Sequence, residues 1–185
     1  MADIESTSAD FHDIRLTDGV ITLRPFRTDD APAHLNGQDD EQRKWLDEGN
    51  ISTLESVQRW IAKNEEAWRT GAPTYNFAIE DLKESVLAGM IEANTIVPGL
   101  EEGEVNIAYA LYPEFRGKGY VGRAVSIIID FLRAKGYARA IIRANMENEP
   151  SVNVAKRCGF MPIGEVINIG GEPLTVFAKD LVYKK

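Results

Sequence analysis

The sequence predicts an α/β domain whose central sheet is mixed but mostly antiparallel, with about seven strands flanked by helices. Three observations carry that expectation. Short apolar runs bounded by turn residues recur along the chain, as strands do. Two of them, 75–79 and 85–91, are joined by the polar turn 80–84 and read as an antiparallel hairpin. A long amphipathic helix, 119–135, separates the strand-like runs 104–111 and 138–144, which predicts one right-handed parallel crossover.

The chain has 185 residues, which suits one domain with a substantial core. Residues 1–13 carry Asp3, Glu5, Asp10 and Asp13 among Ser and Thr with little apolar periodicity, so they read as a flexible tail before a domain at 14–185. The 21 basic and 29 acidic residues give a net charge of −8. That charge opposes non-specific attraction to nucleic acid or an anionic membrane, and mildly suits a cationic acceptor such as an amine. The single cysteine, Cys158, cannot form an internal disulfide, and no apolar stretch is long enough to span a bilayer. The first residues lack a signal-peptide pattern, so the reducing cytoplasm is the expected location.

Taken in order, Val20 to Pro25 alternates as a strand after the Asp18-Gly19 turn. Thr28 to Asp30 offers an N-cap for a short helix over 29–36, followed by a polar segment, 37–50, that holds Trp45. Ser52 or Thr53 caps a second helix with Leu54, Val57, Trp60, Ile61 and Trp68 at helical spacing, ended by Gly71 and Pro73. Its tryptophans read as core. After the hairpin, a linker at 94–103 leads to the fourth strand, 104–111. The 119–135 helix presents Val121, Val125, Ile128 and Leu132 on one face and stops at Gly136. The fifth strand, 138–144, is followed by a short helix capped by Asn148 and ending at Gly159. Two last strands, 162–168 and 173–183, flank the Gly170-Gly171 hairpin signal.

The richest stretch is Leu111 to Ala124, where Gly117, Gly119 and Gly122 sit between a strand and the start of a helix. Glycines let the backbone turn sharply and approach a ligand, and the first N–H groups of a helix are unpaired and lie at its positive dipole end. Together with Arg116, Lys118 and Arg123, this reads as a phosphate or pyrophosphate cradle; a solvated basic turn is the alternative. The spacing Gly117-x-Gly119-x-x-Gly122 matches a dinucleotide fingerprint but lies late in the chain, after strands that look antiparallel.

Arg116-Gly-Lys-Gly-Tyr-Val121 resembles the Arg/Gln-x-x-Gly-x-Gly/Ala signature of the GNAT superfamily of acyl-CoA-dependent N-acyltransferases, with Val121 departing from the last position and Gly122 following it. Asn148-Glu-Pro-Ser151 with Cys158-Gly-Phe160, and Ile21 to Asp30, are similar to segments of the branch that holds ribosomal-protein and antibiotic acetyltransferases. The resemblance spans about residues 19–183. It implies a single GNAT-like domain splayed between its fourth and fifth strands, with acetyl-CoA as co-substrate; with two His and one Cys the sequence has no metal-site spacing. It implies coenzyme A contacts from Leu111, Arg116, Gly117, Lys118, Gly119, Tyr120, Val121, Gly122, Arg123, Asn148 and Ser151, the free main chain at Leu111 holding the pantetheine arm as an added strand would. A homodimer is compatible with it.

Acyl transfer to an amine needs a base for the ammonium proton and a donor for the departing thiolate. Glu104 and Glu92, beside central strand ends, are the candidate bases, with plain solvation as the alternative for each. The branch's Glu-Ile-Gly-Tyr string appears here as Asn106-Ile-Ala-Tyr109, and Ala155 stands where many relatives have a Tyr acid. Ser151 therefore becomes the candidate donor, ahead of Tyr109 or Tyr112, or else an ordinary first-turn residue. Cys158 reads as a small buried hydrophobe. The expected function is direct acetyl transfer to a primary amine: a protein N-terminus, an aminoglycoside-like or polyamine compound, or a small metabolite. The alternative is a non-catalytic acyl-CoA-binding module.

Overall fold

Eight strands form one open sheet in the computed structural model, which describes residues 11–46, 50–71 and 73–182. They are β1 (Leu16–Thr17), β2 (Ile21–Pro25), β3 (Thr74–Asp81), β4 (Val86–Asn94), β5 (Glu104–Leu111), β6 (Arg139–Ala144), β7 (Met161–Ile167) and β8 (Pro173–Asp180). Their spatial order is β1-β2-β3-β4-β5-β6-β8-β7, and every neighbouring pair is antiparallel except β5 with β6. The helices are α1 (Ala31–Gly37), α2 (Asp40–Leu46), α3 (Leu54–Thr70), α4 (Tyr120–Ala134) and α5 (Glu149–Arg157).

The sheet has one strand more than the sequence predicts, because β1 is only two residues long and too short to alternate. Helix α2 lies in the segment read as polar connection. Its sequence, Asp-Glu-Gln-Arg-Lys-Trp-Leu, has no apolar stripe; the Asp39 carboxylate holds its first turn instead, accepting the Gln42 N–H at 2.9 Å. Of the expected 1–13 tail, residues 1–10 lie outside the described residues. Phe11–Asp13 forms a 3-10 turn whose Phe11 ring lies parallel to Trp68 at 6.4 Å, so this part packs on the domain.

Local chemistry explains the other boundaries. The Thr53 hydroxyl accepts the Ser56 N–H, and the Ser56 hydroxyl accepts the Thr53 N–H, starting α3; Gly71 ends it in the left-handed conformation at φ +66°. The two sheet faces carry separate apolar clusters. Ile21, Phe77, Ile91 and Ile107 pack under Val125, Ile128 and Leu132 of α4. Phe26, Val57, Ile61 and Ala78 pack on the opposite face under α1 and α3. Trp60 and Trp68 belong to these cores, as the helical spacing suggested.

The feature that positions the site is a fork. Strands β5 and β6 pair only at Glu104 with Arg139, Val105 with Ala140, and Asn106 with Ile141, whereas β5 stays paired to β4 as far as Leu111. From Ile107 onward one edge of β5 therefore has no strand beside it, as the family resemblance implied.

A buried histidine locks α1 to the end of β5. His34 is 4% exposed, stacks on Trp60 at 5.1 Å, and its Nδ1 lies 2.8 Å from the Tyr112 hydroxyl. Burial pushes its pKa from 6.5 down to about 4. In the window between those values the unfolded chain binds a proton that the folded chain does not, so this stability is complete above pH 6.5 and is lost as pH falls towards 4. Between pH 7 and 4.5 the wild-type chain is expected to lose about 2 to 3 kcal/mol more unfolding free energy than His34→Gln, measured by urea denaturation. Equal losses in the two proteins would show that His34 is not held neutral.

Candidate active site

The chain leaves β5 through a 3-10 turn, Pro113–Phe115, and reaches α4 through Arg116 to Gly119. Gly117 (φ +74°) and Gly119 (φ +78°) adopt the left-handed conformation, and Gly119 is the N-cap of α4, with no side chain to bond the helix's first N–H groups. Those of Tyr120, Val121 and Gly122 have no partner within the helix; that of Arg123 closes on the Gly119 carbonyl at 3.3 Å. A Cβ added at Gly117, Gly119 or Gly122 would meet nothing within 4 Å, so the space over the loop is open.

Gly122 is the informative one. It lies in the first helical turn without a positive φ, where Gly is about 1 kcal/mol worse than Ala. Nothing in the fold requires it, which fits a ligand pressed against the helix N-terminus. The residues present thus fit a diphosphate.

The expected cluster of three free cations is not what the side chains form. Arg116 grips Asp39 through Nη1 and Nη2 at 2.6 and 2.8 Å, reaches Glu41 at 2.8 Å, and donates from Nε to the Leu111 carbonyl at 3.1 Å. The guanidinium holds the Asp39 carboxyl down to about 2. Arg116 therefore ties the cradle to α2 and to the end of β5. Arg123 pairs with Asp18 at 2.6 Å, while Lys118 has no salt bridge among the described residues and lies 4.9 Å from the Phe115 ring centre. The Tyr120 hydroxyl donates to Asp81 and anchors the start of α4 to the β3–β4 turn. The loop's attraction for an anion rests mainly on main-chain N–H groups, the dipole and Lys118.

On the α4 side of the fork, Asn148 caps α5 by accepting the Ser151 N–H at 3.2 Å. Across from it, the Tyr109 hydroxyl lies 3.1 Å from Ser151 Oγ and 3.2 Å from the Ser151 carbonyl. Burial raises the phenol to about 12, so it stays protonated and able to donate. Ala155 is fully buried and has no ionisable group to donate. The Tyr109 and Ser151 hydroxyls thus form one donor site that the sequence named only as alternatives. Cys158 is half-buried rather than buried, and burial pushes its thiol upward, away from nucleophile chemistry.

On the opposite face the centre of the sheet is partly uncovered. Met90, Glu92, Ala108 and Ala110 are all half-exposed, although β4 and β5 are inner strands. Glu92 pairs across the ladder with Ala108, whose other side is the free edge of β5, and its Oε1 accepts the Asn94 side-chain amide N–H at 3.1 Å. Asn106 sits at the last rung before the fork, and its Oδ1 is buried with no hydrogen-bond donor among the described residues. Glu104 is not brought to this place. It lies at the closed end of the fork, bonded to Arg139 at 3.3 Å and to the Glu101 N–H at 3.0 Å, seven residues and roughly 23 Å along the strand from Leu111. Among the described residues no group of His, Cys, Asp and Glu could hold a metal ion.

Comparison with solved structures gives the same architecture. A GNAT-family acetyltransferase from Bacillus anthracis is 22% identical, with 91% of this chain and 99% of that one covered and a TM-score of 0.77. Ribosomal-protein-S5-alanine acetyltransferase from Vibrio fischeri is 21% identical, with 91% and 97% covered and a TM-score of 0.77. The microcin C7 self-immunity acetyltransferase MccE, solved with acetyl-CoA and AMP, is 21% identical, with 89% and 93% covered and a TM-score of 0.76. No curated protein sequence matches the chain. The family model for the acetyltransferase (GNAT) domain matches residues 21–161, and with the forked sheet and the glycine cradle already in place, the chain belongs to the GNAT acetyltransferase family.

Proposed function

We propose that the protein is an acetyl-CoA-dependent N-acetyltransferase that moves the acetyl group directly to a primary amine in the cytoplasm. The observation that carries this reading is the meeting of two unpaired backbone surfaces: the N–H groups at the start of α4, which suit a diphosphate, and the free edge of β5, which suits the amide-bearing pantetheine arm. Bound along both, acetyl-CoA supplies an activated thioester at the fork.

The chain's own residues divide the remaining work by face. Glu92, on the uncovered face, takes the proton from the incoming ammonium, directly or through water. Tyr109 and Ser151, on the α4 side, donate to the departing sulfur. Leu111, Gly117, Lys118, Gly119, Val121 and Gly122 line the carrier's path, while Arg116, Tyr120 and Arg123 hold that path in shape.

Protein N-termini are one acceptor class, in keeping with the ribosomal-protein acetyltransferases of the same fold; polyamine, aminoglycoside-like and small metabolite amines are others. A non-catalytic acyl-CoA-binding module is the second reading, favoured by Asn106 and Ala155 where relatives carry ionisable groups. Release of free thiol from acetyl-CoA across an amine panel separates the two. The enzyme releases thiol only when an acceptable amine is present; tight acetyl-CoA binding without thiol release from any amine would establish the module.

A further inference from the structure

Arg143 lies on β6 at the fork, on the same sheet face as Asn106. Asn106 is in register with Ile141 across the last β5–β6 rung, Arg143 follows Ile141 by two residues, and Arg143 pairs with Val176, which shares a cluster with Ile141. Continued past the point where the strands part, the register would set Arg143 opposite Ala108, and Ala108 is in register with Glu92. Glu92 and Arg143 therefore flank one small residue on the uncovered face, with Asn106 at the closed end between them.

The arginine is unusual for this chain. Most of its arginines are neutralised by a carboxylate. Of those outside any salt bridge among the described residues, Arg15, Arg27 and Arg157 are exposed to water, whereas Arg143 is half-buried. Among the described residues its one hydrogen bond runs from Nη2 to the Pro98 carbonyl at 2.8 Å, and its Nε is buried with no acceptor. A guanidinium carries five donors, and leaving them unmatched in a part-buried place is costly. Arg143 makes no salt bridge among the described residues; the carboxylate whose charge acts on it is Glu104 at the closed end of the fork, which is already bonded to Arg139. Two strand spacings of about 4.8 Å put the two main chains at least about 10 Å apart, and the fork widens that gap. An acid and a base on one partly uncovered face, kept apart by Ala108, leave room for a ligand with both charges.

We infer that Arg143 sets acceptor specificity: the amine acetylated by this protein carries a carboxylate or phosphate within a few bonds, its ammonium at Glu92 and its anion at Arg143. This deepens the proposed function and rests on it. The guanidinium forks onto the two oxygens of the anion while the ammonium points at the fork. The net negative charge of the chain disfavours the same anion over most of its surface.

Thiol release is measured with matched acceptor pairs: ω-amino acids with one to five methylene groups and the corresponding amides, and C-terminally amidated dipeptides with an aspartyl second residue against their asparaginyl counterparts. The wild type is expected to favour the anionic member of at least one pair by about 10-fold or more in KM. Arg143→Gln brings the KM ratio within each pair to about one while acetyl-CoA affinity shows the fold intact, and Arg143→Lys recovers part of the preference. Equal KM values within every pair, or a loss in Arg143→Gln that is the same for anionic and neutral acceptors, would overturn the assignment while leaving the acetyltransferase reading intact. Absence of thiol release from every acceptor would overturn both.

Discussion

Glu92→Gln is expected to lower kcat/KM for the acetylated amine by about 100-fold or more at pH 7, the usual worth of a positioned general base. The substitution keeps the size of the side chain and an oxygen for the Asn94 amide, so Tm and acetyl-CoA affinity stay as in the wild type. Its pH dependence identifies the lost step. A primary amine of ordinary basicity is mostly protonated at pH 7, and the free fraction rises about tenfold per unit until its own pKa is reached. In the variant the rate climbs with that fraction, and the gap to the wild type closes at alkaline pH. A variant within threefold of the wild type at pH 7, or a deficit that does not change with pH, would remove Glu92 from proton transfer. Glu104 cannot replace it, because its carboxylate is spent on Arg139 and the Glu101 N–H at the closed end of the fork.

Much of the frame was legible in the chain because local chemistry decided it. Glycines at 71, 119 and 136 stand next to the helix ends they were read to mark, and the Asn148 and Thr53 caps form the bonds their side chains permit. The hairpin at 80–84 and the crossover through α4 follow from pattern and handedness. What stayed hidden was long-range pairing. Neither the partnership of Arg116 with Asp39, 77 residues apart, nor that of Arg123 with Asp18 leaves any periodic trace, so three cations in one loop read as a charge cluster when two were already neutralised. Sequence spacing ranked Glu104 with Glu92 because both sit near strand ends. Only the register shows that one faces the fork's closed end and the other its floor. The Tyr109–Ser151 contact, across 42 residues, joins two hydroxyls that the chain offered as competitors.

Gly122→Val is the second substitution with a large expected effect. Its added methyls enter the space over the first turn of α4, where a Cβ meets no protein atom within 4 Å, and the position has no left-handed φ to strain. Folding is therefore expected to be preserved, unlike in Gly119→Val, where φ +78° alone disfavours a branched side chain. A diphosphate lying on the Tyr120, Val121 and Gly122 N–H groups would be forced off them. Affinity for coenzyme A is expected to fall by about 100-fold or more, equivalent to about 2.7 kcal/mol. The account depends on main-chain amides at this helix end holding the carrier, and calorimetric titration of folded Gly122→Val with coenzyme A tests that most directly. The predicted result is a collapse of affinity with Tm unchanged; wild-type affinity in the folded variant would contradict it.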